Sequence, residues 1–103
     1  METKKILVID DEKIVLDSVV KILSEGEYTV DTTQSSKEGL RKGLTDSYDC
    51  ILTDIRMPEI GGMKVLREIK REKPSVPVII ITGYATVESA VQAMKLGAAE
   101  YIE

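Results

Sequence analysis

The sequence predicts an α/β domain, with a doubly wound parallel sheet of five strands covered by helices. Two observations lead to this fold class. Short apolar, β-branched runs alternate along the chain with segments whose apolar residues recur every three or four positions. The connections between them are short, so consecutive strands are expected to run parallel and to be joined by right-handed helical crossovers.

Five runs have the composition of strands, and they cover residues 5–9, 28–33, 50–53, 78–81 and 99–102. The first, third and fourth are continuous apolar runs, which is typical of parallel strands buried on both faces. The second is half polar, which suits a strand near the edge of the sheet.

Four segments between these runs have helical periodicity. The first covers residues 13–24, and its predicted apolar face consists of Val15, Val19, Ile22 and Leu23. The fourth is predicted to be capped by Thr86, with Val87, Ala90, Val91 and Met94 on one apolar face. We therefore expect both faces to pack on the sheet.

The second and third helices begin at recognisable local signals. Ser35 with Glu38 three residues later has the pattern of a capping box. Gly39 and Gly43 lie inside that helix and are each expected to weaken it by about 1 kcal/mol relative to Ala. The third helix begins at a Gly-Gly turn, and its apolar line is Gly62, Val65, Leu66 and Ile69.

Composition excludes several function classes. The 103 residues are 31% charged and 43% hydrophobic, which indicates one soluble globular domain. A net charge of -4 without a basic stripe argues against direct nucleic-acid contact by this segment. With no His and one Cys, a structural zinc site is excluded. No apolar run reaches the roughly 18 residues of a membrane span, and no signal peptide precedes the first strand, so we expect a cytoplasmic location without membrane contact.

Polar side chains follow three of the predicted strands. Asp10 and Asp11 follow the first, Asp54 the third and Thr82 the fourth. Because the carboxyl ends of parallel strands lie on one side of a sheet, these residues should converge where such sheets bind ligands. Two carboxylates about 4 Å apart repel by roughly 4 kcal/mol at an effective dielectric of 20, so the cluster needs a proton or a cation.

The ligand chemistry favours Mg²⁺, which prefers one or two carboxylates together with water and phosphate oxygens. An acidic Mg²⁺ pocket beside a strand-end aspartate is suited to forming an aspartyl phosphate. Taken singly, the residues have simpler interpretations. Asp10 and Asp11 could cap the first helix, Asp54 could be a turn residue before Pro58, and Thr82 could be an ordinary strand-end residue.

Three motifs carry a resemblance to a known family. The stretches VIDDE (8–12), LTDIRMP (52–58) and IITGY (80–84) resemble, in order, the three signatures of the response-regulator receiver domain. The similarity covers the whole chain and implies a flavodoxin-like sheet of order 2-1-3-4-5. The segment from Thr82 to Tyr101 further resembles receivers of sigma-54-dependent transcriptional activators.

The resemblance implies a role for each site residue. Asp54 is then the phosphoacceptor for a sensor histidine kinase. Asp11 and Asp54 bind Mg²⁺ directly, Asp10 acts mainly through water, and the backbone carbonyl of Arg56 completes the protein ligands. Thr82 contacts the phosphoryl group.

The resemblance also implies a switch residue and an output domain. Tyr101 is, by the same resemblance, the switch aromatic whose rotamer follows Thr82; without the resemblance it is an ordinary half-buried strand tyrosine. The output domain is expected beyond Glu103 and could comprise AAA+ and DNA-binding parts.

The chain departs from the family pattern at two places. Gly61 stands where an acidic residue usually caps the third helix. The lysine that contacts the phosphoryl group is expected immediately after Glu103, and the final helix is missing from residues 1–103. We therefore expect these residues to be a C-terminally incomplete receiver domain, with apolar residues of the third and fourth strands uncovered on one face. Such a fragment would associate as a homodimer or swap segments to cover that face.

Two alternative functions belong to other classes. A pseudo-receiver would bind a protein partner without accepting a phosphoryl group, as the missing lysine suggests. A Mg²⁺-dependent phosphohydrolase would use Asp54 as its nucleophile. Such an enzyme often carries a second acid two residues further on, where this chain has Arg56.

Overall fold

The computed structural model describes residues 3–103 and confirms the predicted fold class. Strands and helices alternate along the chain, and their bounds are β1 Lys4–Ile9, α1 Lys13–Leu23, β2 Tyr28–Thr33, α2 Ser36–Thr45, β3 Cys50–Thr53, α3 Gly62–Glu72, β4 Val78–Ile81, α4 Val87–Lys95 and β5 Glu100–Ile102. The predicted elements are all present, with boundaries that differ by a residue or two.

All five strands form one parallel sheet in the order β2-β1-β3-β4-β5. This is the flavodoxin-like order that the resemblance implies. Ile9 pairs with both Thr33 and Thr53, so the three strands end at the same level. The residues that follow β1 and β3 are thereby brought together at one edge, and the half-polar β2 lies at the margin of the sheet, as predicted.

The larger core lies between the sheet and helices α2, α3 and α4. Its largest fully buried aliphatic residues come from β1, β3, β4 and α3, and they are Leu7, Ile9, Ile51, Val65, Leu66, Ile69, Val78 and Ile80. The predicted apolar line of α3 is confirmed, because Gly62, Val65, Leu66 and Ile69 are all buried.

The two glycines inside α2 allow the helix to lie close against the core. A Cβ added at Gly39 would come within 2.7 Å of the Ile9 side chain, and one at Gly43 within 2.9 Å of Ile69. The two glycines weaken the helix but allow it to pack closely against Ile9 and Ile69. The sequence alone did not indicate these contacts.

The predicted face of α1 is partly wrong. Leu16 is buried, and Val19 and Leu23 pack with it against Ile6 and Val8 on the opposite side of the sheet. In contrast, the side chain of Ile22 is 69% exposed. The helical stripe that meets the sheet is thus rotated away from Ile22 and centred on Leu16.

The predicted burial of α4 is wrong for most of its apolar face. Ala93 is the fully buried side chain of this helix, whereas Val87 is 82% exposed and Met94 is 51% exposed. A short helix at the margin of the sheet buries only a narrow stripe, so the rest of its apolar face meets solvent.

The capping signals also differ from prediction in one detail. The Ser35 hydroxyl accepts a hydrogen bond from the Glu38 backbone N–H, but the Glu38 side chain pairs with Arg41 instead of returning to Ser35. The complete capping box lies at the start of α4, between Thr86 and Ser89.

The α1 side of the sheet is less well covered than the other. Ile79 and Ile81 of β4 are only partly buried, and Ile102 of β5 is 44% exposed, whereas Leu52 of β3 is 9% exposed. The expected uncovered face is therefore present on β4 and β5 and nearly absent on β3. Among residues 3–103, no helix has the length and hydropathy that a membrane crossing requires.

Candidate functional site

Three carboxylates meet at the carboxyl edge of the sheet. Asp10, Asp11 and Asp54 each present a carboxylate oxygen, and these oxygens all lie within 4.8 Å of one another. Asp10 is 4% exposed and Asp54 is 7% exposed, whereas Asp11 is more open to solvent. The structure thus brings together the carboxylates that the sequence predicted from separate strands.

The position of Asp54 is fixed mainly by backbone contacts. Its N–H donates to the Ile9 carbonyl at 3.2 Å, which continues the pairing of β3 with β1. The Ile55 N–H donates to Asp54 Oδ1 at 2.6 Å, and the Thr53 hydroxyl donates to the Asp54 carbonyl at 3.0 Å. Oδ1 is therefore held, whereas Oδ2 has no hydrogen-bond partner among residues 3–103 and could meet a ligand.

The start of α3 lies unusually close to Asp54. The Gly62 N–H donates to the Ile55 carbonyl at 2.8 Å. A Cβ added at Gly62 would lie 1.8 Å from the Asp54 carbonyl oxygen, a separation that no side chain can adopt. Gly62 is thus needed because α3 begins so close to the Asp54 backbone. From the sequence, Gly61 and Gly62 were identified only as turn residues.

The buried carboxyl group of Asp10 is the electrostatically strained member of the cluster. Burial raises the pKa of Asp10 to about 6, and the charges of Asp54 and Asp11 act in the same direction. The Glu12 N–H donates to Asp10 Oδ1 at 2.9 Å and opposes part of that rise in pKa. An unpaired negative charge is therefore disfavoured at this position, as expected of a site that takes a cation.

We predict that Asp10→Asn stabilises the protein at pH 7.5 when divalent cations are removed by a chelator. The pKa of Asp10 is higher in the folded chain than its ordinary value of 3.8, so the folded state binds the proton more tightly. The stability that this provides is fully present below about pH 4 and is lost as pH rises through about 6. Denaturant melts across this range should show a gain for Asp10→Asn that shrinks as pH falls.

The exposed Asp17, paired with Lys13 on α1, supplies the matched control. Asp17→Asn removes the same charge and should change stability little at any pH in this range. A loss of stability in chelated Asp10→Asn at pH 7.5 would contradict the account of this carboxylate.

The donor set fits a small, hard divalent cation. The carboxylate oxygens lie close enough together to coordinate one ion, and a cation among them would offset the burial, and to a lesser extent the neighbouring charges, that raise the pKa of Asp10. An open pocket of about 430 Å³ adjoins the cluster, with Asp11, Asp54, Arg56 and Tyr84 in its wall. The pocket leaves room for water and for an anionic ligand beside the cation.

Thr82 lies at the same edge, immediately after β4. It is 3% exposed, and it borders a second open pocket together with Asp10 and Asp54. Its hydroxyl accepts a hydrogen bond from the Tyr84 N–H at 3.0 Å. The hydroxyl hydrogen of Thr82 therefore remains available to a ligand next to Asp54.

Tyr101 lies on β5, in register with Ile80 of the neighbouring strand. It is partly buried, and its hydroxyl lies 2.6 Å from the Ser89 hydroxyl in the first turn of α4. Ser89 also completes the capping box with Thr86. The side chain of Tyr101 is thus linked to the start of α4, which is the helix that follows Thr82.

One contact at the site was missed from the sequence. The Arg56 guanidinium lies over the Tyr84 ring, with its central carbon 4.6 Å from the ring centroid. The contact joins the β3–α3 and β4–α4 connections across the mouth of the pocket. The Arg56 side chain is engaged there, and the role of its backbone carbonyl at the metal stays a prediction.

Comparison with known proteins agrees with this architecture. Residues 6–103 match the family model described as the response regulator receiver domain. The chain is 37% identical over 97 residues to the transcriptional regulatory protein ZraR of Escherichia coli K12, which covers 94% of this chain and 22% of ZraR. The chain thus spans about a fifth of the length of that relative.

Two solved structures are also close to this fold. A CheY-like receiver domain protein from Methanospirillum hungatei JF-1 superposes with a TM-score of 0.93 at 34% identity, over 98% of this chain and 81% of that one. The response regulator protein TrrA from Thermotoga maritima, solved in complex with Mg²⁺-BeF, gives 0.88 at 34% identity, over 97% and 85%. With its fold, its carboxylate cluster and the matched family model, the chain belongs to the response regulator receiver domain family.

Proposed function

We propose that Asp54 accepts a phosphoryl group from the phosphohistidine of a sensor histidine kinase, in a reaction that depends on Mg²⁺. The observation that carries this proposal is the cluster of three carboxylates within 4.8 Å, in which Oδ2 of the buried Asp54 accepts no hydrogen bond from the part of the chain that the structure describes. Family membership supports it, as does the Mg²⁺-BeF complex of the similar TrrA.

The cation would be held by Asp11 and Asp54 directly, by Asp10 mainly through water, and by the backbone carbonyl of Arg56. When bound, Mg²⁺ supplies positive charge that offsets the carboxylates and the oxygens of the incoming phosphoryl group. The residues next to Asp54 orient its carboxylate. The Ile55 N–H holds Oδ1, so that Oδ2 faces the incoming phosphorus.

In the transfer step, Asp54 Oδ2 forms a bond to phosphorus while the phosphorus–nitrogen bond of the donor breaks. The electron pair of that bond stays on the imidazole nitrogen, which is then protonated from solvent. The Thr82 hydroxyl donates a hydrogen bond to an equatorial phosphoryl oxygen, where charge accumulates in the loose transition state. Hydrolysis of the same acyl phosphate returns the domain to its resting state.

The acyl phosphate carries about two negative charges where the carboxylate carried one, so the end of β3 becomes more negative and gains phosphoryl oxygens that accept hydrogen bonds. Thr82 is expected to move toward it and to shift an existing equilibrium between two arrangements of the β4–α4 connection. Tyr101 follows because its hydroxyl contacts Ser89 at the start of α4. The surface around α4 and β5 would thereby report the state of Asp54.

The partner domains are part of the proposal. Similarity to a transcriptional regulatory protein supports an output domain that acts on transcription. The receiver is proposed to work in the cytoplasm.

The proposal is tested by incubating the protein with a small acyl phosphate donor and measuring its intact mass. One phosphoryl increment is expected with Mg²⁺, none with a chelator, and the increment should decay after the donor is removed. Absence of any increment, in the longest form of the protein that contains this chain, would instead support a pseudo-receiver that only binds a partner.

A further inference from the structure

The short connection between β2 and α2 contributes no predicted ligand, yet it touches both segments that carry ligands. On one side, the Gln34 side-chain amide donates to the Asp11 carbonyl at 3.0 Å. On the other side, the Ser36 hydroxyl accepts from the Ile60 N–H at 2.9 Å. We call residues 34–36 the strut, because they bridge the β1–α1 and β3–α3 connections.

A second contact ties the strut to the β3–α3 connection. The Ser35 hydroxyl donates to Glu59 Oε1 at 2.6 Å, and the Lys37 N–H lies 3.4 Å from the same oxygen. The hydrogen bond from Ser35 lowers the pKa of Glu59, so the carboxylate is charged where it meets the first turn of α2. The β3–α3 connection is thus held at two successive residues, Glu59 and Ile60.

The strut is itself anchored to the sheet. The Asp10 N–H donates to the Thr33 carbonyl at 3.2 Å, and the Ser35 N–H donates to the Thr33 hydroxyl at 3.1 Å. Ser36 is 1% exposed, so its hydroxyl cannot exchange the Ile60 N–H for water without opening the core. The strut therefore lies at a fixed position relative to Asp10.

These contacts restrain the residue whose carbonyl is proposed to bind the cation. Arg56 lies between two points that are held: the Ile55 carbonyl accepts from the Gly62 N–H, and Glu59 with Ile60 is bonded to the strut. Asp11, on the opposite side, is bonded to Gln34. The separation between the Asp11 and Arg56 segments is thus set through residues 34–36.

We infer that the strut is a positioning device that sets the spacing of the cation ligands, mainly through the bond of Ser36 to Ile60 and the bond of Ser35 to Glu59. The inference rests on the proposed Mg²⁺ site. Its physical basis is that Mg²⁺ requires near-octahedral ligands at about 2.0–2.1 Å, whereas Ca²⁺ accepts six to eight ligands in flexible geometry at about 2.3–2.6 Å. A strut that fixes spacing should therefore favour Mg²⁺ over Ca²⁺.

The test is a calorimetric titration of Mg²⁺ and of Ca²⁺ into the wild-type protein and its variants. Ser36→Ala, which changes no charge, should weaken Mg²⁺ binding about ten-fold, the lower range for outer contacts of a metal site. Ca²⁺ binding should weaken by less than about three-fold. Glu59→Ala should act in the same direction, and Glu59→Gln, which retains an acceptor for Ser35, should recover part of the loss.

Two controls separate positioning from general effects. Ser18→Ala removes an exposed hydroxyl bonded to a helix carbonyl on α1, and Glu25→Gln removes one distant negative charge. Neither should alter the ratio of Mg²⁺ to Ca²⁺ affinity. Glu59 is exposed, so its variants keep the test available if Ser36→Ala does not fold.

Unchanged Mg²⁺ affinity in the Glu59→Ala variant would overturn the inference and leave the proposed function intact. Equal losses for Mg²⁺ and Ca²⁺ would also overturn it, because they would indicate an effect of charge or stability instead of spacing. Failure of the wild-type protein to bind Mg²⁺ would contradict the proposed function itself.

Discussion

Asp54→Asn is expected to abolish the phosphoryl increment, which is the largest effect on activity that the structure predicts. An amide at this position keeps an oxygen that can accept from the Ile55 N–H at the 2.6 Å contact, so the local backbone should be preserved. It cannot, however, form an acyl phosphate in place of the carboxylate. Intact mass after incubation with donor and Mg²⁺ measures the effect directly.

The same measurement on Asp17→Asn provides the reference, because that exposed residue lies on α1 and is paired with Lys13. It should take up one phosphoryl group like the wild type. A full increment in folded Asp54→Asn would show that the acceptor is a different residue.

Gly62→Ala is expected to have the largest effect on stability. The new Cβ would lie 1.8 Å from the Asp54 carbonyl oxygen and 2.9 Å from the Ile55 Cα. Both are backbone atoms, so relief requires that the first turn of α3 move away from β3. We expect the free energy of unfolding to fall by about 3 kcal/mol or more, at the upper end for overpacked sites, together with loss of phosphoryl uptake.

Gly61→Ala is the matched control, one residue earlier in the same turn. Its Cβ would have an ordinary contact, 3.5 Å from the Ile55 carbonyl oxygen. Denaturant unfolding should separate the two variants clearly. Similar stabilities for them would mean that the close approach of α3 to Asp54 is not a requirement of the fold.

The fold and the carboxylate cluster were predictable because both follow from strand alternation. Once apolar runs such as Cys50–Thr53 are recognised as parallel strands, the residues after them must meet at one edge. The order of the strands alone places Asp10, Asp54 and Thr82 at this edge, without any knowledge of side-chain packing. It fixes where the residues lie, whereas the roles of Arg56, Thr82 and Tyr101 remain predictions.

Helix faces were less predictable, for a physical reason. Periodicity identifies an apolar stripe but does not say how much of it the sheet can cover. On α1 the stripe was misplaced by including Ile22, and on α4 the exposed Val87 and Met94 were expected to pack on the sheet. Because α4 is short and lies at the margin of the sheet, it buries little more than Ala93.

The strut could not be predicted from the sequence. Ser36 and Ile60 are 24 residues apart, and a serine in the first turn of a helix has a sufficient local explanation. The same holds for Glu59, which no periodicity or motif connects to Ser35. Contacts of this kind depend on the distance between two connections at the sheet edge, which only the three-dimensional structure provides.

The central claim is that Asp54 is the phosphoacceptor, and its most direct test is to locate the modification. Borohydride reduces an acyl phosphate to the alcohol, so treatment of the phosphorylated protein should leave homoserine at the acceptor position. Fragment masses are predicted to place homoserine at residue 54 and to show intact aspartate at residues 10 and 11. Homoserine at either of those positions, or a phosphoryl group retained on a serine or threonine, would contradict the account.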